Sequence, residues 1–175
     1  LNWLKKTGFG GGERDKYQVL LVCTGNTCRT PMAEGIMRKK LQEQGAQLVT
    51  VKSAGTGAVE GMPASFIGVS VARMHDVNIM SHRSQPVSRK LMDKSDLVLV
   101  MAEDHLAYLI ENFPQHQDKI HLLRNYGRET PVEDPNIFDP IGSEAEVYEL
   151  VFQDLEEEIT RVVSHIINDS MEKLW

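Results

Sequence analysis

An α/β sandwich, a parallel sheet covered by helices on both faces, is the fold this sequence predicts. Two observations carry the prediction. The segments "YQVLLVCT" (17–24) and "DLVLVMA" (96–102) are continuous apolar runs rather than alternating ones, the pattern of strands buried on both faces. Between and after them lie segments whose apolar residues recur at helical spacing, and strands that alternate with helices make a doubly wound sheet.

Taken in chain order, 17–24 is the first strand. From Pro31 to Gly45, "PMAEGIMRKKLQEQG" places Ala33, Ile36, Met37 and Leu41 on one helical face. Thr30 suits the N-cap of that helix, Pro31 its first position and Gly45 its stop. "LVTVKSAG" (48–55) is a second short strand. Residues 63–75 read as a helix opened by Pro63, with Phe66, Ile67 and Val71 inward, and 87–94 as a shorter helix after Pro86. The strand at 96–102 leads into a helix over 103–113 with Leu106, Leu109 and Ile110 inward. "KIHLL" (119–123) is the fourth strand. After an irregular, proline-bearing stretch, a long terminal helix carries an apolar stripe of Val147, Leu150, Val151, Leu155, Ile159, Val162, Val163 and Ile166.

The 175 residues are most simply one domain over 17–175, preceded by a flexible tail over 1–16 whose "GFGGGERDK" is glycine-rich and polar. Lys and Arg number 19 against 25 Asp and Glu, a net charge of −6 without a basic block. That balance argues against a nucleic-acid-binding face or an anionic-membrane anchor. No apolar run approaches the roughly 18 residues of a membrane span, and "LNWLKKTGFGGGERDK" lacks the apolar centre of a signal peptide. A cytoplasmic monomer is expected, and in that compartment two cysteines in one loop are reactive rather than structural. The six histidines are scattered without ligand spacing, so neither a metal nor another cofactor is expected.

Both cysteines fall in "VCTGNTCRTPMAE" (22–34), between the first strand and the first helix. Open α/β sheets place their ligands at this carboxyl end of the strands. Cys23 and Arg29 stand in C-x5-R spacing, a loop short enough to curl into a helix N-terminus and turn its backbone N–H groups inward as an anion nest. Gly25 and Asn26 tolerate the positive φ such a curl requires. Arg29 can close the nest with a two-pronged hold on an oxyanion. Inward dipoles and a guanidinium favour thiolate over thiol, so Cys23 is expected to be ionised near neutral pH and aimed at phosphorus.

The loop resembles the active-site loop of the low molecular weight protein tyrosine phosphatases. The likeness extends from about residue 17 through "SAGT" (53–56), "SHRSQPV" (81–87), "DLVLVM" (96–101) and a late Asp-Pro before the last helix. The resemblance implies a flavodoxin-like sandwich on a four-stranded parallel sheet and hydrolysis of phosphorylated proteins through a cysteinyl-phosphate. By position it makes Cys23 the nucleophile, Arg29 the transition-state clamp and Thr30 the hydroxyl that steadies the thiolate. Thr24, Gly25, Asn26, Thr27 and Cys28 complete the loop around the phosphoryl group. Ser53 and His82 are expected to lock Asn26 in its turn.

This chemistry also needs a proton donor for the leaving group and a base for water. Asp134-Pro135 and Asp139-Pro140 are both candidates, and chemistry alone leaves both open. The family pattern, with the Asp-Pro pair just before the terminal helix and Tyr148 eight residues beyond Pro140, selects Asp139; Asp134 is then a surface turn residue. Arsenate reductases of similar fold relay a disulfide through further downstream cysteines, and none follows Cys28 here. Cys28 is either a reversible disulfide partner that protects Cys23 or a small packed loop residue. A non-catalytic phosphate-reading module would have no need of Cys23, Thr30 and Asp139 together.

Substrate choice turns on Thr27. Tyrosine-specific members carry a bulky aliphatic at this position, whereas a bacterial branch that acts on protein phosphoarginine resembles this chain. A threonine leaves room for a planar guanidinium, and its hydroxyl can orient the attacking water. Phosphoarginine is therefore the expected substrate, with phosphotyrosine the alternative.

Overall fold

A computed structural model describes residues 16–175. The tail expected over 1–16 lies outside these residues except for its last member. Four parallel strands, β1 (Tyr17–Cys23), β2 (Val49–Gly55), β3 (Leu97–Val100) and β4 (Ile120–Leu122), form one sheet in the order β2-β1-β3-β4. The helices are α1 (Arg29–Glu43), α2 (Phe66–Met74), α3 (Arg89–Lys94), α4 (Glu103–Asn112) and α5 (Ala145–Leu174). The flavodoxin-like, three-layer expectation is met.

Alternation along β1 divides the core into its two layers. Val19, Leu21 and Cys23 face α1, α2 and α5, where they meet Met32, Ile36, Phe152, Leu155 and Ile159. Leu20 and Val22 face the other way, toward Met92 of α3 and Leu109 of α4. A run that is apolar at every position is what a strand with two covered faces requires. Because α1 and α4 leave the adjacent strands β1 and β3 toward opposite faces, a crevice opens at the carboxyl ends of these two strands.

Several local expectations give way. The first helix begins at Arg29, two residues before Pro31, so Thr30 lies inside it and makes no N-cap bond. Its hydroxyl is taken by other partners, described below. The second helix begins at Phe66 rather than Pro63, capped by Ser65, whose side chain accepts from the Gly68 N–H. Phe66 is 85% exposed, not inward, and Ile110 and Leu150 also lie on the outer sides of their helices. Apolar spacing placed these three correctly on helices, but each falls at the margin of its stripe. A 3-10 helix over Pro114–Lys119, which periodicity did not reveal, leads into β4. No helix among the described residues is long and apolar enough to cross a membrane.

Candidate active site

Cys23 is the last residue of β1, 2% exposed, and the chain curls from it through residues 24–28 into α1. The curl depends on Asn26, whose φ of 56° lies in the left-handed region that few residues other than glycine enter easily. Gly25 was expected to share this role but has no positive φ, so the turn rests on Asn26 alone.

A network of buried bonds holds Asn26 in that conformation. Its side-chain oxygen accepts from the Gln85 backbone N–H at 2.9 Å, which fixes the orientation of the amide. Its Nδ2 donates to Thr30 Oγ1 at 2.8 Å and to Ser53 Oγ at 3.0 Å. His82 Nε2 donates to its carbonyl at 2.7 Å. Ser53 passes its own hydrogen to Glu34, so it is free to accept from Asn26. Thr30 likewise accepts from Asn26, and its hydrogen is left for Cys23 Sγ, 3.0 Å away. The Asn26 backbone N–H also points at Cys23 Sγ, at 3.3 Å. The expected Ser53 and His82 contacts with Asn26 are present.

These donors act against burial. Desolvation pushes the Cys23 thiol up from its ordinary value, while the Thr30 hydroxyl, the Arg29 charge and the Thr30 and Asn26 backbone N–H groups pull it down. The net direction is up, which corrects the expectation that the loop alone ionises Cys23 near neutrality. Complete removal from water penalises the thiolate more than the fixed donors repay. Arg29 pulls the thiol down while being held by other acceptors. Its guanidinium is directed at the loop before α5, donating to the Ile137 carbonyl and to Asp139 Oδ2, both at 3.1 Å.

Asp139 is thereby brought to the site, whereas Asp134 is exposed and accepts from the backbone and side chain of Asn136 in a surface turn. Thr27 is half-buried in the loop, its hydroxyl 3.7 Å from Cys28 Sγ. Cys28 lies 3.3 Å from the Tyr148 hydroxyl, and both cysteines are free thiols. Burial and Cys28 keep Tyr148 protonated well beyond neutral pH. Among the described residues, no group of three or more His, Cys, Asp or Glu is arranged to hold a metal ion.

Sequence reasoning missed three contributors, Glu34, Gln85 and His105, and used Tyr148 only as a marker of the last helix without its contact to Cys28. Glu34 was legible in part, since it follows Thr30 by one helical turn and shares its face. Gln85 stands three residues from His82 in a quoted motif, but no local pattern assigns its backbone N–H to Asn26. His105 and Tyr148 meet the loop from α4 and α5, contacts with sequence separations of 81 and 120.

A buried cysteine over an inward-turned loop, at the carboxyl end of a doubly wound sheet and beside an Arg-Asp pair, defines a cysteine-dependent phosphatase. The model of the low molecular weight phosphotyrosine protein phosphatases matches residues 18–172, and the chain belongs to that family. It is 37% identical over 150 residues to a protein-arginine-phosphatase of Geobacillus stearothermophilus, covering 86% of this chain and 96% of that one. Over 118 residues it is 34% identical to the low molecular weight protein-tyrosine-phosphatase Wzb of Salmonella typhi, covering 67% and 76%. A solved structure of the arginine phosphatase YwlE, a cysteine-to-serine mutant with a phosphorylated active-site serine, superposes with a TM-score of 0.81 at 29% identity, covering 87% of this chain and 97% of that one.

Proposed function

We propose that residues 17–175 form one phosphatase domain that hydrolyses phosphorylated proteins, with phosphoarginine preferred, through a phosphate carried on Cys23. The observation that carries the mechanism is the donor chain Asn26 to Thr30 to Cys23, which delivers a fixed hydrogen to the sulfur. Phosphoryl oxygens enter the nest, and Arg29 exchanges Asp139 for them. The Cys23 thiol proton passes by way of a phosphoryl oxygen to the Asp139 carboxylate, and the resulting thiolate attacks phosphorus as the bond to the leaving nitrogen or oxygen breaks. Asp139, released from Arg29, gives its proton to the leaving group. Its carboxylate then takes a proton from water, which attacks phosphorus, breaks the S–P bond and frees phosphate.

Two features support phosphoarginine. Thr27 presents a small polar side chain at the loop, and the 37%-identical relative is a protein-arginine-phosphatase. Phosphotyrosine is favoured by a different observation: Phe138, next to Asp139, is 62% exposed and offers a ring against which a phenyl group can lie.

Thr27→Ile tests the choice. Isoleucine is larger and cannot hydrogen-bond, so it should close the site to a guanidinium while admitting a flat ring. One extra carbon in a pocket is worth about 10–200-fold, so the kcat/KM ratio of phosphoarginine to phosphotyrosine peptides should fall at least about tenfold. If both activities fall together, Thr27 only supports the loop and phosphotyrosine becomes the better reading.

A further inference from the structure

His105 has no part in the proposed chemistry, yet it touches the loop that performs it. It lies in the first turn of α4, directly after β3, whose carboxyl end neighbours that of β1 at the crevice. From there its Nε2 reaches Thr24 Oγ1 at 2.8 Å. The residue is 1% exposed, and its Nδ1 has no hydrogen-bond partner. Asp104 Oδ1 is 3.7 Å from that nitrogen and is engaged by the His105 backbone N–H at 2.9 Å. A buried, unpaired nitrogen is destabilising. An aliphatic side chain would fill the same space without it, so what the imidazole adds is its contact with Thr24.

Thr24 joins the nucleophile to the nest. Its carbonyl side is fixed already: the carbonyl accepts from the Gly57 N–H at 3.0 Å, and a Cβ at Gly55 would collide with it. Its hydroxyl side has only His105 as a partner among the described residues. We propose that His105 is a positioning residue of this phosphatase, clamping Thr24 from across the crevice and so fixing the peptide between Cys23 and the anion nest. The proposal rests on the phosphatase reading.

The charged groups around the ring are Asp104 on its own helix, Arg29 on α1 and Asp139 before α5. Burial pushes the imidazole down from its ordinary value, Asp104 pulls it up, Arg29 pushes it down and Asp139 pulls it up, with a net direction down. At neutral pH the ring is therefore neutral. In acid it becomes a second cation beside Arg29 and Asp139. This adds an acid limb to the rate, lying below the ordinary imidazole value of about 6.5.

The test compares Thr24→Val, His105→Gln and the double variant on para-nitrophenyl phosphate. A small misplacement of a reacting group is costly, so each single variant should lose kcat roughly tenfold. Inhibition by inorganic phosphate should stay within about twofold, because Asn26 and Arg29 still build the nest. If His105 acts through Thr24, the double variant should be no slower than the slower single one. His105→Gln should also lose the acid limb; the titration of the substrate phosphate is common to both proteins and cancels. Wild-type kcat in Thr24→Val, or a double variant slowed by the product of the two single losses, overturns the proposal. Should His105→Gln fail to fold, Thr24→Val alone decides, since it removes one hydroxyl from an exposed residue. A wild-type protein with no activity overturns the phosphatase reading and this proposal together, an outcome distinct from active wild type with unaffected variants.

Discussion

Residues 23–30 and residues 137–144 meet at the Arg29–Asp139 ion pair, but they are supported very differently. In the first, Cys23, Asn26, Cys28, Arg29 and Thr30 are all buried, and Asn26 alone is bound to Gln85, Thr30, Ser53 and His82. In the second, Ile137 is buried and tied to the Met101 carbonyl, and exposure rises immediately after it. Phe138 and Ile141 are more than 60% exposed. Asp139 is held by Arg29 and by the Ile141 N–H within its own turn.

The contrast follows from what each region has to do. Charge developing on phosphoryl oxygens is best met by donors that are already fixed and need no reorganisation. A general acid must change protonation twice in each cycle and let go of Arg29, so tight support would work against it. Stability is invested in the nest and withheld from the acid.

Removing the nucleophile should have the largest effect. Cys23→Ser is expected to abolish hydrolysis of aryl phosphates while inorganic phosphate still binds, because the nest is backbone and Arg29. Even a tenth of wild-type turnover in the serine protein would refute covalent catalysis.

Asp139→Asn comes next, with a loss on the order of 10²–10⁴-fold. In kcat/KM, which reports the step that forms the cysteinyl-phosphate, the loss should shrink for leaving groups of low pKa, which need little protonation. Thermal stability should barely change, since Asp139 is the solvent-facing end of its pair with buried Arg29 and an asparagine oxygen in its place can still accept from Arg29. A marked fall in melting temperature would show that the acid loop is a structural support after all.

Asn26→Ala should behave in the opposite sense to Asp139→Asn, affecting stability as well as rate. It leaves the Gln85 backbone N–H without its buried acceptor, removes a donor from Thr30 and Ser53, and keeps a Cβ at positive φ. An unsatisfied buried group costs about 1–3 kcal/mol, visible as a drop of several degrees in a calorimetric scan. An unchanged melting temperature would mean that the loop is not held by this network.

The smallest effect belongs to Asp134→Asn. Its carboxylate closes an exposed turn with Asn136 and faces no catalytic group, so turnover should stay near wild type. A large loss there would move the acid to the other Asp-Pro pair.

The same contrast explains what was legible in the sequence. Unbroken apolar runs gave the two central strands, β1 and β3, since a strand covered on both faces has no polar side to show. The C-x5-R spacing gave the nest because its parts are local in sequence. Thr30 was assigned wrongly as a cap and rightly as a hydroxyl for the sulfur, since pattern sees position on a helix but not which partner wins. Ionisation of Cys23 was misjudged because the sequence shows the donors and not the depth of burial. Phe66 was placed inward by spacing alone, though it stands at the first turn of α2 with no layer above it. Gln85, His105 and Tyr148 reach the loop only after the chain has folded.

The central claim is a phosphate carried on Cys23 that Asp139 helps to form and then to hydrolyse. Asp139→Asn mixed rapidly with para-nitrophenyl phosphate isolates the two steps, because nitrophenolate leaves without an acid whereas water still needs a base. A burst of nitrophenolate equal to the enzyme concentration, followed by slow turnover and with labelled phosphate on Cys23, is the predicted result. Linear release from the first turnover, with no label on the protein, would contradict it.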